Sequence, residues 1–404
     1  MPSSPAQPGH TDAEIHTHNH DLHTGADPSR IAKRAVTATL LVLLLICLIA
    51  VPYLAAANPT SKVADYLGRH ITGTHTTIDS TAIRDSNHYA TITLDGEPHE
   101  LLVTQPWAAK DPLHAGEKVI VARASNQHGD STWHIVDRDR TLWLVILAGL
   151  LIVALAVVAG AKGLRAAIGI AAAGAIILGF ILPTIAAGGP PIPTALAGSA
   201  LILFAVVYLA HGITYKSSTA LLGTLTAMAY TLLVSWLAVK ALHLTGIAAA
   251  DDENGHLANI NLQGLMLAGF IIGSLGVLND VTIAQASTVF ELAEHHSPLT
   301  AFRKAMEVGK DHIASATYTL VLAYTGSALP LLLILHSTDY GLRSSLSLEI
   351  ITTEITRSLT GALGLILSVP LTTALAALTC QRTGKTTTQQ HEGDPPQLTP
   401  STTT

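Results

Sequence analysis

Residues 141–187 read TLWLVILAGLLIVALAVVAGAKGLRAAIGIAAAGAIILGFILPTIAA, and Lys162 and Arg165 are the only charges among them. A helix needs roughly 20 apolar residues to cross a ~30 Å hydrocarbon core, where intrahelical hydrogen bonds alone can satisfy every backbone group. The stretch is too long for one crossing. It reads as two, Thr141–Ala161 and Ala166–Ala187, with both cations in the turn between them. The same criterion, carried outward, finds six more: Ala35–Ala56, Thr194–Ala210, Thr219–Leu242, Leu262–Leu278, Ile313–Leu335 and Leu359–Leu378. The expected fold is an all-α polytopic membrane bundle of about eight transmembrane helices, with a small extracytoplasmic β-rich domain between the first two.

Composition supports a membrane protein. Hydrophobic residues make up 49% of the 404 positions and charged residues only 12%, about half the share typical of soluble domains. Residues 58–140 hold 19 charges in 83 positions, whereas residues 141–250 hold four, all basic. A net charge of -6 gives no footprint for phosphate backbones, so nucleic acid is not an expected partner. Cys47 and Cys380 both fall in apolar runs and cannot form a disulfide framework.

Short loops rich in Lys and Arg stay on the cytoplasmic side during insertion. Placing the N-terminus inside puts eleven cations there: Arg30, Lys33, Arg34, Lys162, Arg165, Lys216, Arg303, Lys304, Lys310, Arg382 and Lys385. Only Lys240, Arg343 and Arg357 oppose this in short outer loops. The expected location is the bacterial cytoplasmic membrane, multi-pass, with both termini inside. The first span has a rival reading as a cleaved signal peptide ending near Ala55-Ala56-Ala57, which would leave the sidedness of the rest unchanged.

The domain plan is a His-rich tail (1–34), the first helix (35–56), the extracytoplasmic domain (57–140), a seven-helix membrane domain (141–380) and a second tail (381–404). Both tails lack the large apolar residues needed to fold. His16, His18, His20 and His23 could gather a divalent metal through imidazole nitrogens, or simply be a solvated His-biased segment. In the extracytoplasmic segment, Tyr89–Leu94, Glu100–Val103, Lys118–Ala122 and Thr132–Val136 alternate partly between apolar and polar residues, as short strands do. Seven histidines lie there without close ligand spacing.

The C-terminal half carries ordered motifs: Gly276-Val-Leu-Asn-Asp-Val-Thr-Ile-Ala, Gly309-Lys-Asp-His-Ile-Ala-Ser-Ala-Thr-Tyr-Thr-Leu, Leu322-Ala-Tyr-Thr-Gly-Ser-Ala-Leu-Pro-Leu-Leu, and Glu354-Ile-Thr-Arg-Ser-Leu-Thr-Gly-Ala-Leu-Gly-Leu-Ile-Leu-Ser-Val-Pro. Ile135-Val-Asp-Arg-Asp-Arg enters the second span and Gly160-Ala-Lys-Gly-Leu-Arg leaves it. Together these resemble the YibE/F family of bacterial membrane proteins over roughly residues 58–380. The resemblance implies a multi-span inner-membrane protein with an extracytoplasmic segment and a function in transport.

Ionisable groups inside a bilayer are costly and are therefore functional candidates. Asp280, Ser287 and Glu291 share one helix side, as do Asp311, Ser315, Tyr318 and Thr325. If the two stripes face each other they line the inner mouth of a path, with His211 and the Thr317, Tyr318 and Thr319 region beside it. The plainer alternative makes Asp280 a helix end, Asp311 a favourable charge near a helix N-terminus, and the hydroxyls packing groups. Glu354 and Arg357 are spaced to pair and could gate the outer mouth or anchor the interface. Pro370 should bend the eighth span and could serve as a hinge. Small residues at Gly160, Gly163, Gly169, Ala173 and Gly174 suit close packing of the second and third spans.

Soluble-enzyme motifs are absent. Gly384-Lys-Thr has Thr379 where a phosphate loop needs glycine, and His99-Glu100 is not completed by a second histidine. No enzymatic role and no cofactor are expected. The sequence points to a secondary-type permease or exporter of unknown substrate, with the lipid bilayer as its partner. Two alternatives stand beside it: a scaffold whose extracytoplasmic domain binds a membrane or envelope protein, and metal handling by the His-rich tail.

Overall fold

The computed structural model describes residues 30–57, 74–84, 87–105, 108, 110–125, 131–247, 260–337 and 341–380. The four His-tail candidates and the C-terminal tail lie outside the described residues.

Helix α1 (Arg30–Ala57) precedes a five-stranded antiparallel sheet of β1 (Thr74–Arg84), β2 (Asn87–Leu94), β3 (Glu97–Leu102), β4 (Lys118–Ser125) and β5 (Ser131–Arg138), in the order β3-β2-β1-β4-β5. Alternation puts Ile78, Ala90, Ile92, Val119, Val121 and Ile135 into one buried layer. Asp95 and Gly96, at φ 53 and 85, turn the β2–β3 hairpin, a two-residue connection that needs positive φ twice. The Gln105 side-chain amide donates to the Ile135 and Val136 carbonyls, so the segment after β3 returns to β5 and the sheet curls. Four strands match the alternating runs of the sequence. β1 does not, because Ile78 is its one buried residue.

The membrane part comprises α2 (Thr141–Ile176), which continues through a π-helical turn (Ile177–Ile181) into α3 (Leu182–Ala186), then α4 (Pro191–His211), α5 (Tyr215–Ala241), α6 (Leu262–His295), α7 (Pro298–Ser327), α8 (Leu329–His336), α9 (Leu342–Leu346) and α10 (Glu349–Thr379). Among the described residues, six helical segments are long and apolar enough to cross a membrane: Arg34–Ala56, Thr141–Ala186, Pro191–His211, Tyr215–Ala241, Leu262–His295 and Glu349–Thr379. A seventh is obtained if α7 and α8, bent by 59°, form one span. The bend corrects the expected uninterrupted seventh span. Pro330 sits in the first turn of α8, where it can return no backbone N–H to the preceding helix.

The 46 residues of Thr141–Ala186 would extend about 69 Å as one straight rod, more than twice a hydrocarbon core. They are interrupted at Gly160, whose φ 55 and ψ -135 are closed to side-chain-bearing residues. Beyond that break the backbone approaches itself so closely that a Cβ on Gly163 would overlap the Leu155 carbonyl. Gly169 does pack on another helix, at Val206 of α4, whereas nothing lies near Gly174.

The centre of the bundle is the trio α5, α6 and α10, with α7 against α6 and α10, α4 against α2 and α6, and α1 against α4 and α5. These helices meet through small and hydroxyl residues as well as large apolar ones such as Leu278, Leu365 and Val369. A Cβ on Gly223 would overlap Thr372 Oγ1, and one on Gly364 would overlap Thr231 Oγ1. Lipid tails are as apolar as leucine, so close backbone contact and interhelical hydrogen bonds carry such packing. By contrast the first half of α2 turns almost every large side chain outward.

Candidate functional site

The Gly160 break shapes one end of the bundle, because the reversed chain presents Lys162 and Arg165 beside the ends of two other helices. α4 stops at His211, where Gly212 adopts φ 75. Thr214 then caps α5, its hydroxyl accepting from the Ser217 N–H at 3.1 Å. The Tyr208 and Ser218 hydroxyls meet at 3.1 Å and tie the two helix ends together. The result is a cleft of about 700 Å³, with Lys162, Arg165, His211, Lys216, Ser217 and Ser287 among its lining. Lys162, Arg165 and Lys216 make no ion pair among the described residues. Asp280 is exposed nearby, close enough that its charge, like those of Lys216 and Lys162, acts on His211.

Toward the other end, Arg357 Nη1 donates to Glu354 Oε1 at 2.9 Å and Oε2 at 3.0 Å. Both side chains are about one-quarter exposed, and the guanidinium lies 5.4 Å from the Phe270 ring centre. This pair flanks a cavity of about 180 Å³ shared with Tyr324 and Thr325 of α7 and Leu332 of α8. Below it, Glu349 takes the Thr245 and Gly246 N–H groups, both at 2.7 Å, and locks the loop after α5 to the start of α10.

A polar seam runs between the two ends. Thr224 and Thr282 share a 2.5 Å hydrogen bond between α5 and α6. Gln285, 2% exposed, donates to the Ala305 carbonyl at 2.8 Å and to Thr373 Oγ1 at 2.7 Å, joining α6, α7 and α10. Gly309 leaves room for that amide, since a Cβ there would lie 2.5 Å from Val369 Cγ1 and 3.1 Å from Gln285. Sequence reasoning missed Gln285, Glu349 and the Thr224–Thr282 pair. The only signal for them is an amide, an acid and hydroxyls at helix-buried spacing.

The two stripes expected to face each other do not meet. Asp311, Ser315, Tyr318 and Thr319 are exposed on α7, while Ala301, Ala305 and Gly309 bury the other side. Those four exposed residues line neither cavity, whereas Thr325 of the same stripe lines the second and Ser287 of the α6 stripe the first. Thr317 is half-buried, and its hydroxyl has no partner among the described residues. The stripe periodicity itself is real; its face points away from α6. Pro370 lies inside α10, which continues as one helix through it, and the Thr373 hydroxyl donates to the Val369 carbonyl at 2.6 Å.

At the junction of sheet and α2, the Asp-Arg-Asp-Arg run forms a latch. Arg138 reaches Asp111 and Glu117, and Arg140 reaches Asp137 at 2.8 Å. Asp139 accepts from the Thr141 N–H at 2.9 Å and pairs with His75 of β1 at 2.9 Å. Hydrogen bonds from Thr141 and then His75 hold the Asp139 carboxyl down to about 2. The described histidines of this domain are not gathered into a metal site, and no group of three metal-ligating side chains occurs among the described residues.

Comparison with known families returns a match to the sequence model of the YibE/F-like protein family over residues 147–382, more than half of the chain. The match starts inside α2, so the sheet and its latch lie outside it. No curated protein and no solved structure matches the chain.

Proposed function

Because this chain belongs to the family of YibE/F-like proteins, we propose that it is a secondary-type permease or exporter of the bacterial cytoplasmic membrane. In this reading it crosses eight times, the Gly160 break dividing Thr141–Ala186 into two spans and α7–α8 forming one bent span. Both termini are cytoplasmic, and so is the cleft holding Lys162, Arg165 and Lys216.

One observation carries the reading. Two cavities lie at different levels of the bundle, one lined by Ile283 and Ser287 of α6 and the other by Tyr324, Thr325 and Glu354, and buried polar groups line the helix interface between them. Ser287 lines the first cavity, and Phe270 backs the Glu354–Arg357 pair beside the second. They are separated by about 25 Å at 1.5 Å per residue, close to the thickness of the hydrocarbon core. The pair is part-buried, and losing either partner leaves an uncompensated charge. Glu354 and Arg357 act as the outer gate, with the bend between α7 and α8 beside it, and Asp280 takes up a coupling cation at the inner mouth.

The test is flux in liposomes holding the purified full chain. An imposed proton or sodium gradient should collapse faster than in protein-free vesicles, and Asp280→Asn and Glu354→Gln should each slow that collapse. Gradients that decay at the protein-free rate for wild type reject the permease. The scaffold reading has its own support in the latched sheet. It prevails if deleting residues 74–138 abolishes the cellular phenotype while Asp280→Asn and Glu354→Gln leave it intact.

A further inference from the structure

We propose that the cleft between α2, α4, α5 and α6 binds an oxyanion of the phosphate class, either free in solution or as a lipid headgroup. This rests on the permease reading only in placing the cleft at the cytoplasmic mouth. It names what that mouth recognises.

Three cations converge there from separate parts of the chain: Lys162 and Arg165 from the turn after Gly160, and Lys216 from the first turn of α5. The preference of cytoplasmic loops for Lys and Arg explains why they sit at this end of the bundle. It does not explain why they share one cavity with no paired acid among the described residues. Nearby Arg303 and Lys304 do not share the cleft, and Lys304 Nζ instead meets His296 Nε2 at 2.9 Å.

The cleft also receives the N-terminus of α5, a 27-residue helix whose dipole favours negative charge there. Ser217 and Ser287 add hydroxyls at the wall. Against the three cations stands Asp280, whose charge reaches His211 at the rim. The remaining double positive charge complements a phosphate monoester, which carries roughly -1.5 to -2 at neutral pH, and more than neutralises the single charge of a lipid phosphodiester. Leu155, Ala159, Ala166 and Ile283 supply an apolar wall beside the basic rim, suited to the carbon part of an organic phosphate or to a glycerol backbone.

Two probes distinguish the sources. Equilibrium dialysis measures radiolabelled inorganic phosphate on the full chain in a neutral detergent at low salt. Native mass spectrometry counts phosphatidylglycerol retained by the chain from nanodiscs of phosphatidylcholine mixed with that lipid. Saturable phosphate binding identifies a free anion, and selective lipid retention identifies a headgroup. In either case Lys216→Gln should weaken binding about tenfold, the worth of one charge-assisted contact. Lys162→Gln with Arg165→Gln should weaken it further, whereas Arg303→Gln with Lys304→Gln should leave it within about twofold of wild type.

The inference is overturned if wild type holds neither probe, if the cleft variants bind as wild type does, or if the Arg303 and Lys304 control loses as much. Lys216 is exposed and makes no ion pair among the described residues, so its single variant remains informative should the double variant misfold. Ion flux that persists in a chain binding neither probe overturns this inference and leaves the permease standing.

Discussion

Replacing Gln285 by leucine removes a polar bridge while keeping most of the bulk. Its amide donates to the Ala305 carbonyl at 2.8 Å and to Thr373 Oγ1 at 2.7 Å from a position 2% exposed. Neither partner is orphaned by the change. The Ala305 carbonyl lies within α7, where the helical ladder supplies a donor, and Thr373 still donates to Val369. The cost is therefore the net worth of two hydrogen bonds. At about 0.6 kcal/mol each in membrane interiors and up to about 1.5 each in soluble proteins, that is about 1–3 kcal/mol. Gln285→Ala loses the same bonds and leaves a void as well; truncations of that size in cores cost about 2–5 kcal/mol. Cys380, buried with Ala293 and Ala301 where α6, α7 and α10 meet, is a local reporter. In a Cys47→Ser background, the dodecyl sulfate fraction at which Cys380 becomes alkylated should fall from wild type to Gln285→Leu to Gln285→Ala. A leucine variant matching wild type while the alanine variant drops would mean that bulk alone holds the interface, refuting the bridge.

Gly364→Ala should destabilise by about 1–3 kcal/mol, because its Cβ would overlap Thr231 Oγ1, and Thr231→Ala should recover part of that loss in the double variant; the same alkylation titration reads both. The Asp139 carboxyl is lowered from 3.8 to about 2, so its contribution to the junction is complete above about pH 4 and disappears as pH falls through about 2. Hydrogen exchange of residues 131–140, corrected for intrinsic rates, should accelerate over that window in wild type and show no such step in Asp139→Asn. With both native cysteines replaced by serine, an impermeant maleimide should label Thr132→Cys on intact cells and Lys304→Cys only after lysis; the reverse pattern inverts the proposed topology.

The apolar segments were legible because a bilayer demands a length and composition that little else demands. Even so, their boundaries depended on single residues. The turn expected between Ala161 and Ala166 is made at Gly160, since only glycine takes φ 55 with ψ -135. Strand β1 escaped because Thr74–Arg84 buries only Ile78, so alternation has one apolar residue to show. Its pairing is visible only across the sheet, where Ile78 faces Ile92.

The α7 stripe shows a deeper limit. Spacing of four and seven residues establishes that Asp311, Ser315 and Tyr318 share a face, but in a membrane it does not say which way that face turns. In water a polar stripe points outward by default. In lipid the argument reverses, and here the reversal misleads: the small residues Ala301, Ala305 and Gly309 are buried, and the hydroxyls are outside. Close approach of backbones outweighs sequestration of Ser and Thr hydroxyls, which can bond the carbonyl four residues back, as Thr319 does to Ser315 at 2.9 Å. The cleft cations were obscured for a different reason. Lys162, Arg165 and Lys216 were already accounted for by sidedness, and a residue with a sufficient explanation invites no second one. Their convergence depends on the Gly160 reversal and the Thr214 cap, two backbone events that no property of the cations themselves encodes.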